Sequence, residues 1–222
     1  NDAIIQTGSY NGSDQQGNSD YNNIIFIQSK QVALAYHNEF NKMWGSSTGN
    51  PDINTAAFST YKTVSAQNIF NVNGTTVEVY FSPKDNTGNH LKNMISTAGN
   101  DLFFGIYTFT DNSIANQLKD KYNAGVNTRG IADKFSIPFA AYNTLNPVLG
   151  SNMLVFNGSF TYHNKVMLAD ALTPSSDPQV FTGSFNWSIQ AQNSNDENAI
   201  IIHDASVANQ YYQALCRDFT EL

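Results

Sequence analysis

The sequence predicts an α/β layered protein built on a mixed sheet. Two observations carry this. Strand-like and helix-like segments alternate from residue 76 onward, the pattern of sheets covered by helices. The beginning of the chain also reappears near its end. Comparing residues 1–44 with 176–219 at a constant offset of 175 gives fifteen identities, where chance predicts about three. They include Thr7/Thr182, Gly8/Gly183, Ser9/Ser184, Asn11/Asn186, Asn23/Asn198 and Tyr36/Tyr211. Residues 1–45 therefore read as the closing segment of one unit, and 76–222 as a complete copy of it. The stretch 46–75, "GSSTGNPDINTAAFSTYKTVSAQN" with its flanks, is rich in Gly, Ser, Thr and Asn and reads as a connector.

The elements of the complete copy follow in order. "TVEVYFSP" (76–83) alternates as a half-buried strand does. "GNHLKNMISTAG" (88–99) has apolar residues at helical spacing and ends in Gly, a helix stop. "DLFFGIYTF" is a buried strand and "NSIANQLKDKYNAG" a second helix closed by Gly. "VNTRGIAD", "SNMLVFN", "HNKVMLAD", "QVFTGSFN" and "NAIIIHD" are strands, and "ASVANQYYQALCRDF" is the last helix. Because the late strands follow one another without helices, the sheet is expected to be mixed.

Of the 222 residues, 41% are hydrophobic and 13% aromatic, enough for a packed core. A formal charge of -7 argues against a broad cationic surface for nucleic acid. A single cysteine, Cys216, excludes an internal disulfide framework and reads as a buried helix residue. No run approaches the roughly 20 apolar residues of a membrane span. The opening "NDAIIQTGSYN" reads as a mature, processed or truncated start, and the low charge with abundant Asn, Ser and Thr points to a soluble secreted or periplasmic protein.

The chemistry concentrates in "YHNKVMLADALTPSSDPQVFTGSFNWS" (162–188). If "HNKVMLAD" is a strand, period-two alternation puts His163 and Lys165 on one face. A histidine beside a fixed cation suits a phosphate. The imidazole attacks phosphorus or protonates a leaving oxygen, and the ammonium stabilises the charge that builds on the other oxygens. Gly183 lets the backbone approach, while Ser184 and Asn186 offer neutral donors. Glu197 is placed to accept from a ring nitrogen of the histidine, fixing its tautomer and favouring a cationic ring. His37, His90 and His203 read as helix-surface, first-turn and strand-end residues, and Trp187 as packing. No Cys/His cluster has metal-ligand spacing.

The set His163-x-Lys165-x4-Asp170, Gly183-Ser184-x-Asn186 and Glu197-Asn198 resembles the motifs of the phospholipase D superfamily, over essentially all of 76–222. The resemblance implies a duplicated α/β fold, a mixed sheet flanked by helices on both faces, with pseudo-twofold repeats. It implies a metal-independent phosphodiesterase with no cofactor, in which one histidine forms a phosphohistidine and another protonates the leaving group. Carried over, His163, Lys165, Asn186, Asp170 and Glu197 are catalytic, with Asp170 in a structural part and Glu197 pairing with the other repeat's histidine or with His163. Ser184, Ser9 and Asn11 bind substrate. Position 22 is Asn where position 197 is Glu, so the halves are not equivalent. The Ser/Pro-rich stretch between Asp170 and Gly183 is expected to form a loop near the site.

The first unit's own H-x-K would precede residue 1. Its place is then taken by a companion N-terminal fragment carrying that motif, or by a second copy in a homodimer. The substrate is a phosphodiester, with phospholipid head-group hydrolysis favoured by the acidic balance. The alternatives are a nuclease with the same site and a catalytically silent binding or scaffold protein.

Overall fold

The computed structural model describes residues 3–221. A short ribbon opens the chain: β1 (Ile4–Gly8) pairs antiparallel with β2 (Ile24–Gln28), flanking the one-turn helix α1 (Asp14–Asn18), and α2 (Lys30–Trp44) follows. The main sheet has eight strands: β3 (Ile69–Val72), β4 (Thr75–Phe81), β5 (Asp101–Ile106), β6 (Asn127–Asp133), β7 (Met153–Phe156), β8 (Lys165–Ala169), β9 (Gln179–Gly183) and β10 (Asn198–His203). Between and after them lie α3 (Thr87–Thr97), α4 (Asn112–Asn123), α5 (Ala140–Leu149), α6 (Ile189–Asn193) and α7 (Ala205–Glu221). The strand order is β3-β4-β10-β9-β8-β5-β6-β7. β5, β6 and β7 run parallel and the remaining pairs antiparallel, which is the mixed sheet expected from sequence.

The alternation of side chains across each strand assigns the two faces. Leu102, Phe104 and Ile106 of β5, with Met167, Phe181, Ala199 and Ile201, pack under Leu91 and Ile95 of α3, Ile114 and Leu118 of α4 and Leu145 of α5. Phe103, Val166, Leu168 and Val180 face the other way, onto Ala208 and Leu215 of α7. Next to them, Val77, Val79, Ile200 and Ile202 receive Ile5, Ile27 and Val32 of the opening unit. The first unit therefore shares this second face of the sheet with α7. An ion network around a buried lysine adds to the joint: Lys62, 3% exposed, binds the buried Glu39 of α2, the exposed Asp196 at 2.8 Å and the Ser82 carbonyl at 3.1 Å.

The offset of 175 holds element by element. β1 falls on β9, α1 on α6, β2 on the last five residues of β10, and α2 on the first fifteen of α7. Ser13 and Ser188 cap α1 and α6 alike, each hydroxyl accepting from the backbone N–H three residues on. Gly8 and Gly183 share the positive-φ region at +140° and +145°. At both, a Cβ would sit 2.3 Å from a main-chain oxygen, that of Asn23 or Asn198. The repeat thus demands glycine twice, for conformation and for space.

Four elements lie outside the sequence reading: the one-turn helices α1 and α6, and β3 and α5. β3 occupies part of the stretch read as connector and joins β4 through a tight Asn73–Gly74 turn. α5 was not read from the sequence because Pro147, a helix breaker, sits inside it, although Ala141, Tyr142, Leu145 and Leu149 keep helical spacing. Cys216 is half-buried rather than buried, since the exposed edge of α7 carries it. Gly183→Ala is expected to lower the unfolding free energy by about 1–3 kcal/mol from backbone strain alone, with more from the contact to Asn198, as measured by denaturant titration.

Candidate active site

Sheet register delivers Lys165. It opens β8 opposite Ile106, the last residue of β5, and the ladder is prolonged by Tyr107 N–H donating to the Asn164 carbonyl at 2.8 Å. β9 ends at Gly183 on the same edge of the sheet. His163 lies just before β8 rather than within it, yet it meets Lys165 as alternation predicted. Lys165 Nζ stands 3.1 Å from His163 Nε2 and donates to the His163 carbonyl at 3.0 Å. Tyr107 walls the pair, its ring centroid 5.0 Å from the imidazole and 5.2 Å from Nζ.

The other ring nitrogen is held from the opposite repeat. His163 Nδ1 lies 3.0 Å from the Ser9 carbonyl oxygen. A carbonyl only accepts, so Nδ1 carries the hydrogen and Nε2 presents its lone pair towards Lys165. Of the two pairings expected for Glu197, with His163 or with the other repeat's histidine, the first is not made. The Glu197 carboxylate instead accepts from Asn195 Nδ2 at 3.1 Å and borders a separate cavity with Phe40, Met43 and Phe81. Ser9 is nearer because the first repeat's Gly-Ser turn, not the second repeat's acid, packs on the strand of His163.

The electrostatics follow from burial. Lys165 is 2% exposed, and loss of hydration pushes its ammonium down to about 7, against the pull of Glu197. Burial, then the neighbouring Lys165 charge, push His163 down to about 4, against the Ser9 carbonyl and Asp20. The ring is therefore neutral at neutral pH, not cationic as the sequence suggested. Both shifts oppose folding. Between about pH 4 and 6.5 the unfolded chain holds a proton on His163 that the folded chain lacks, so stability falls as pH falls through that window. Between about 7 and 10.5 the same holds for Lys165, so stability rises with pH there.

The remaining expected residues divide. Ser184 accepts from Asn198 N–H and Nδ2 at 3.0 and 3.3 Å, and its own N–H donates to the Asn198 carbonyl. Asn11 is exposed and shares a cavity of about 350 Å³ with Gly8, Tyr10, Ser184 and Asn198. The two Gly-Ser motifs thus meet in one cavity, but His163 and Lys165 are not among its walls. Asn186 is half-buried, with an Oδ1 that has no partner among the described residues. Asp170 stands at the opposite end of β8, where its carboxylate accepts from the N–H groups of Gly99, Asn100 and Asp101 and from Ser176 Oγ. It braces a turn and touches no other site residue. The loop 171–178 is at that same far end, contrary to expectation, because a hairpin joins the strand ends remote from Lys165 and Gly183. His203 is there too, bound to Asp177 and Glu78.

Sequence reasoning missed Tyr107, for which a lone aromatic after a strand gives no signal. It also left unused the repeat identities Thr7/Thr182, Asn23/Asn198 and Tyr36/Tyr211, which converge at the junction of the repeats. Among the described residues no group of three or more His, Cys, Asp or Glu side chains is placed to hold a metal ion.

The neutral ring is directly measurable. In ¹⁵N NMR, His163 is expected to show an Nδ1–H ring down to about pH 4, and Lys165→Met to raise its midpoint by removing the adjacent charge. A wild-type midpoint near the ordinary 6.5 would contradict the burial described here.

The family profile described as "Cardiolipin synthase, PLD-like domain" matches residues 91–219, more than half of the chain. A phospholipase D of Rickettsia bellii is 27% identical over 148 residues, 66% of this chain and 70% of that protein. The mitochondrial cardiolipin hydrolase of Xenopus tropicalis is 27% identical over 139 residues, 62% of this chain and 63% of that protein. Among solved structures, Nuc of Salmonella typhimurium, a phospholipase D family member, superposes with a TM-score of 0.53 at 23% identity, covering 64% of this chain and 93% of that one. The phosphatidylserine synthase of Haemophilus influenzae Rd KW20 superposes with a TM-score of 0.65 at 13% identity, covering 99% of this chain and 62% of that one. The fold, the paired Gly-Ser turns and the matched profile lead to one conclusion: the chain belongs to the phospholipase D-like family.

Proposed function

We propose that this protein is a phosphodiester hydrolase whose nucleophile is His163, acting on a phospholipid head group. The observation that carries the reading is the arrangement around one ring: Nδ1–H spent on the Ser9 carbonyl, Nε2 bearing its lone pair 3.1 Å from a buried ammonium. A phosphodiester anion drawn to Lys165 meets a neutral imidazole ready to attack. Nε2 forms a bond to phosphorus as the bond to the leaving alkoxide breaks, giving a phosphohistidine. Lys165 stabilises the charge on the non-bridging oxygens during transfer. A second acid protonates the leaving oxygen, and then, as base, directs water onto phosphorus to release His163. The anion also offsets the burial cost of Lys165, raising its proton affinity so that it stays charged in the complex.

The second acid belongs to a companion polypeptide that carries the other H-x-K, with a homodimer as the rival arrangement. The β1–β2 ribbon supports the companion. Its outer face shows Ile4 and Phe26, 61% and 66% exposed, at positions whose counterparts Gln179 and Ile201 are 9% and 2% exposed. β1 also ends, among the described residues, with no neighbour corresponding to β8. The lipid preference is supported by the net charge of -7 and by relatives named for phospholipid substrates. An exported location is supported by the low charge and abundant Asn, Ser and Thr. No helix among the described residues is long and apolar enough to cross a membrane.

Chelator-resistant cleavage of a chromogenic phosphodiester is expected, with His163→Ala lowering kcat/KM by about 10⁴ or more and Lys165→Ala by about 10²–10³. Activity that survives His163→Ala would overturn the assignment, and no cleavage at all would favour the binding-protein reading. Head-group release should exceed plasmid nicking in one buffer; the reverse order would make the enzyme a nuclease. Intact mass analysis of the purified protein should reveal a second polypeptide, and a lone monomeric chain with full activity would rule the companion out.

A further inference from the structure

We propose that Asn23 is a positioning residue for His163, one carboxamide that fixes both groups on which the orientation of that ring depends. The first is Ser9, whose carbonyl takes the Nδ1 hydrogen. Two main-chain bonds set Ser9 beside Asn23, Ser9 N–H donating to the Asn23 carbonyl at 3.0 Å and Asn23 N–H to Ser9 Oγ at 3.0 Å, and the carboxamide adds the third, Nδ2 donating to Ser9 Oγ at 3.2 Å. The second is Asn164, the residue between His163 and Lys165. Asn23 Nδ2 donates to Asn164 Oδ1 at 3.0 Å, and Asn164 is 7% exposed. Asn23 is in turn anchored by the opposite repeat, its Oδ1 accepting from Thr182 Oγ1 at 2.7 Å and Tyr211 OH at 3.2 Å. All four hydrogen-bonding places of the carboxamide are filled. A carboxylate lacks the two donors, and a longer amide moves them by a carbon–carbon bond.

The repeat supplies its own control. Asn198 makes the equivalent bonds, accepting from Thr7 Oγ1 at 2.6 Å and Tyr36 OH at 3.2 Å and donating to Ser184 Oγ at 3.0 and 3.3 Å. Among the described residues it donates nothing to the strand of His163. Removing either amide breaks one half of the junction, but only Asn23 holds the ring.

The inference rests on the proposed phosphodiesterase reading only in its kinetic arm, so the decisive measurement is the His163 tautomer in ligand-free protein by ¹⁵N NMR. Asn23→Ala is expected to replace the Nδ1–H form by a mixture of both tautomers, with kcat lowered roughly 10–100-fold and KM changed by less than about twofold. Asn198→Ala should lose similar melting temperature and keep the Nδ1–H tautomer. A wild-type tautomer in Asn23→Ala, or an equal mixture in Asn198→Ala, overturns the proposal. If Asn23→Ala does not fold, Asn164→Ala decides. It cuts one arm and should move the tautomer the same way by less, and an unchanged ring overturns the idea. A shifted tautomer in a protein that turns over no phosphodiester would uphold the positioning role and refute the functional reading instead.

Discussion

The structure depends on a crossed pair of half-buried amides. Asn23 of the first repeat is held by Thr182 and Tyr211 of the second, and Asn198 of the second by Thr7 and Tyr36 of the first. Thr7 and Thr182 are 8% and 0% exposed, so a missing partner would leave a hydroxyl or amide dry and unsatisfied, at a cost of about 1–3 kcal/mol each. Apolar contact between Ile5, Ile27, Val32 and the sheet supplies the attraction between the repeats, but such contact is indifferent to small slides. The amides are not. They admit one register, and that register sets Ser9 against His163.

The pair of His163 and Lys165 is costly to fold and is kept in place by what surrounds it. Lys165 gives up hydration and finds, among the described residues, one carbonyl and a ring nitrogen at hydrogen-bond distance in return. Its charge depresses the imidazole, and burial depresses both. The rest of the fold offsets this strain with the two-faced sheet and with the Glu39–Lys62–Asp196 network that ties the connector to both repeats. A bound anion, such as the proposed phosphodiester, would reverse the sign, because it would turn an unfavourable ammonium into a counter-charge. The site is thus weakest when empty and gains most from the ligand for which the chemistry is suited.

The aspartate of the motif shows how a spacing in sequence divides into separate jobs in space. From Lys165 to Asp170 is the full length of β8, so the two ends of one strand serve different ends of the sheet. At one end a cation meets an imidazole. At the other, a carboxylate in the left-handed region at φ +53° gathers three consecutive main-chain N–H groups and a hydroxyl, which keeps it ionised below the ordinary carboxylate range. The strand between them is buried throughout, a rigid spacer that lets bracing at one end steady the chemistry at the other.

The sequence by itself determined most of the strands and long helices, the mixed sheet, the repeat and the pairing of His163 with Lys165. These follow from local periodicity, glycine at obligatory positive φ and side-chain alternation, all of which act over a few residues or recur at a fixed offset. Only the tertiary structure decided that Ser9, rather than Glu197, takes the imidazole hydrogen, that the ring is neutral, and that Asp170 and the loop after it stand far from the site. It alone showed Asn23 joined to Asn164 across 141 positions. Those facts depend on desolvation and on hydrogen bonds between segments that packing, not chain order, brings together. No spacing along the chain encodes which carbonyl will be nearest when two repeats close.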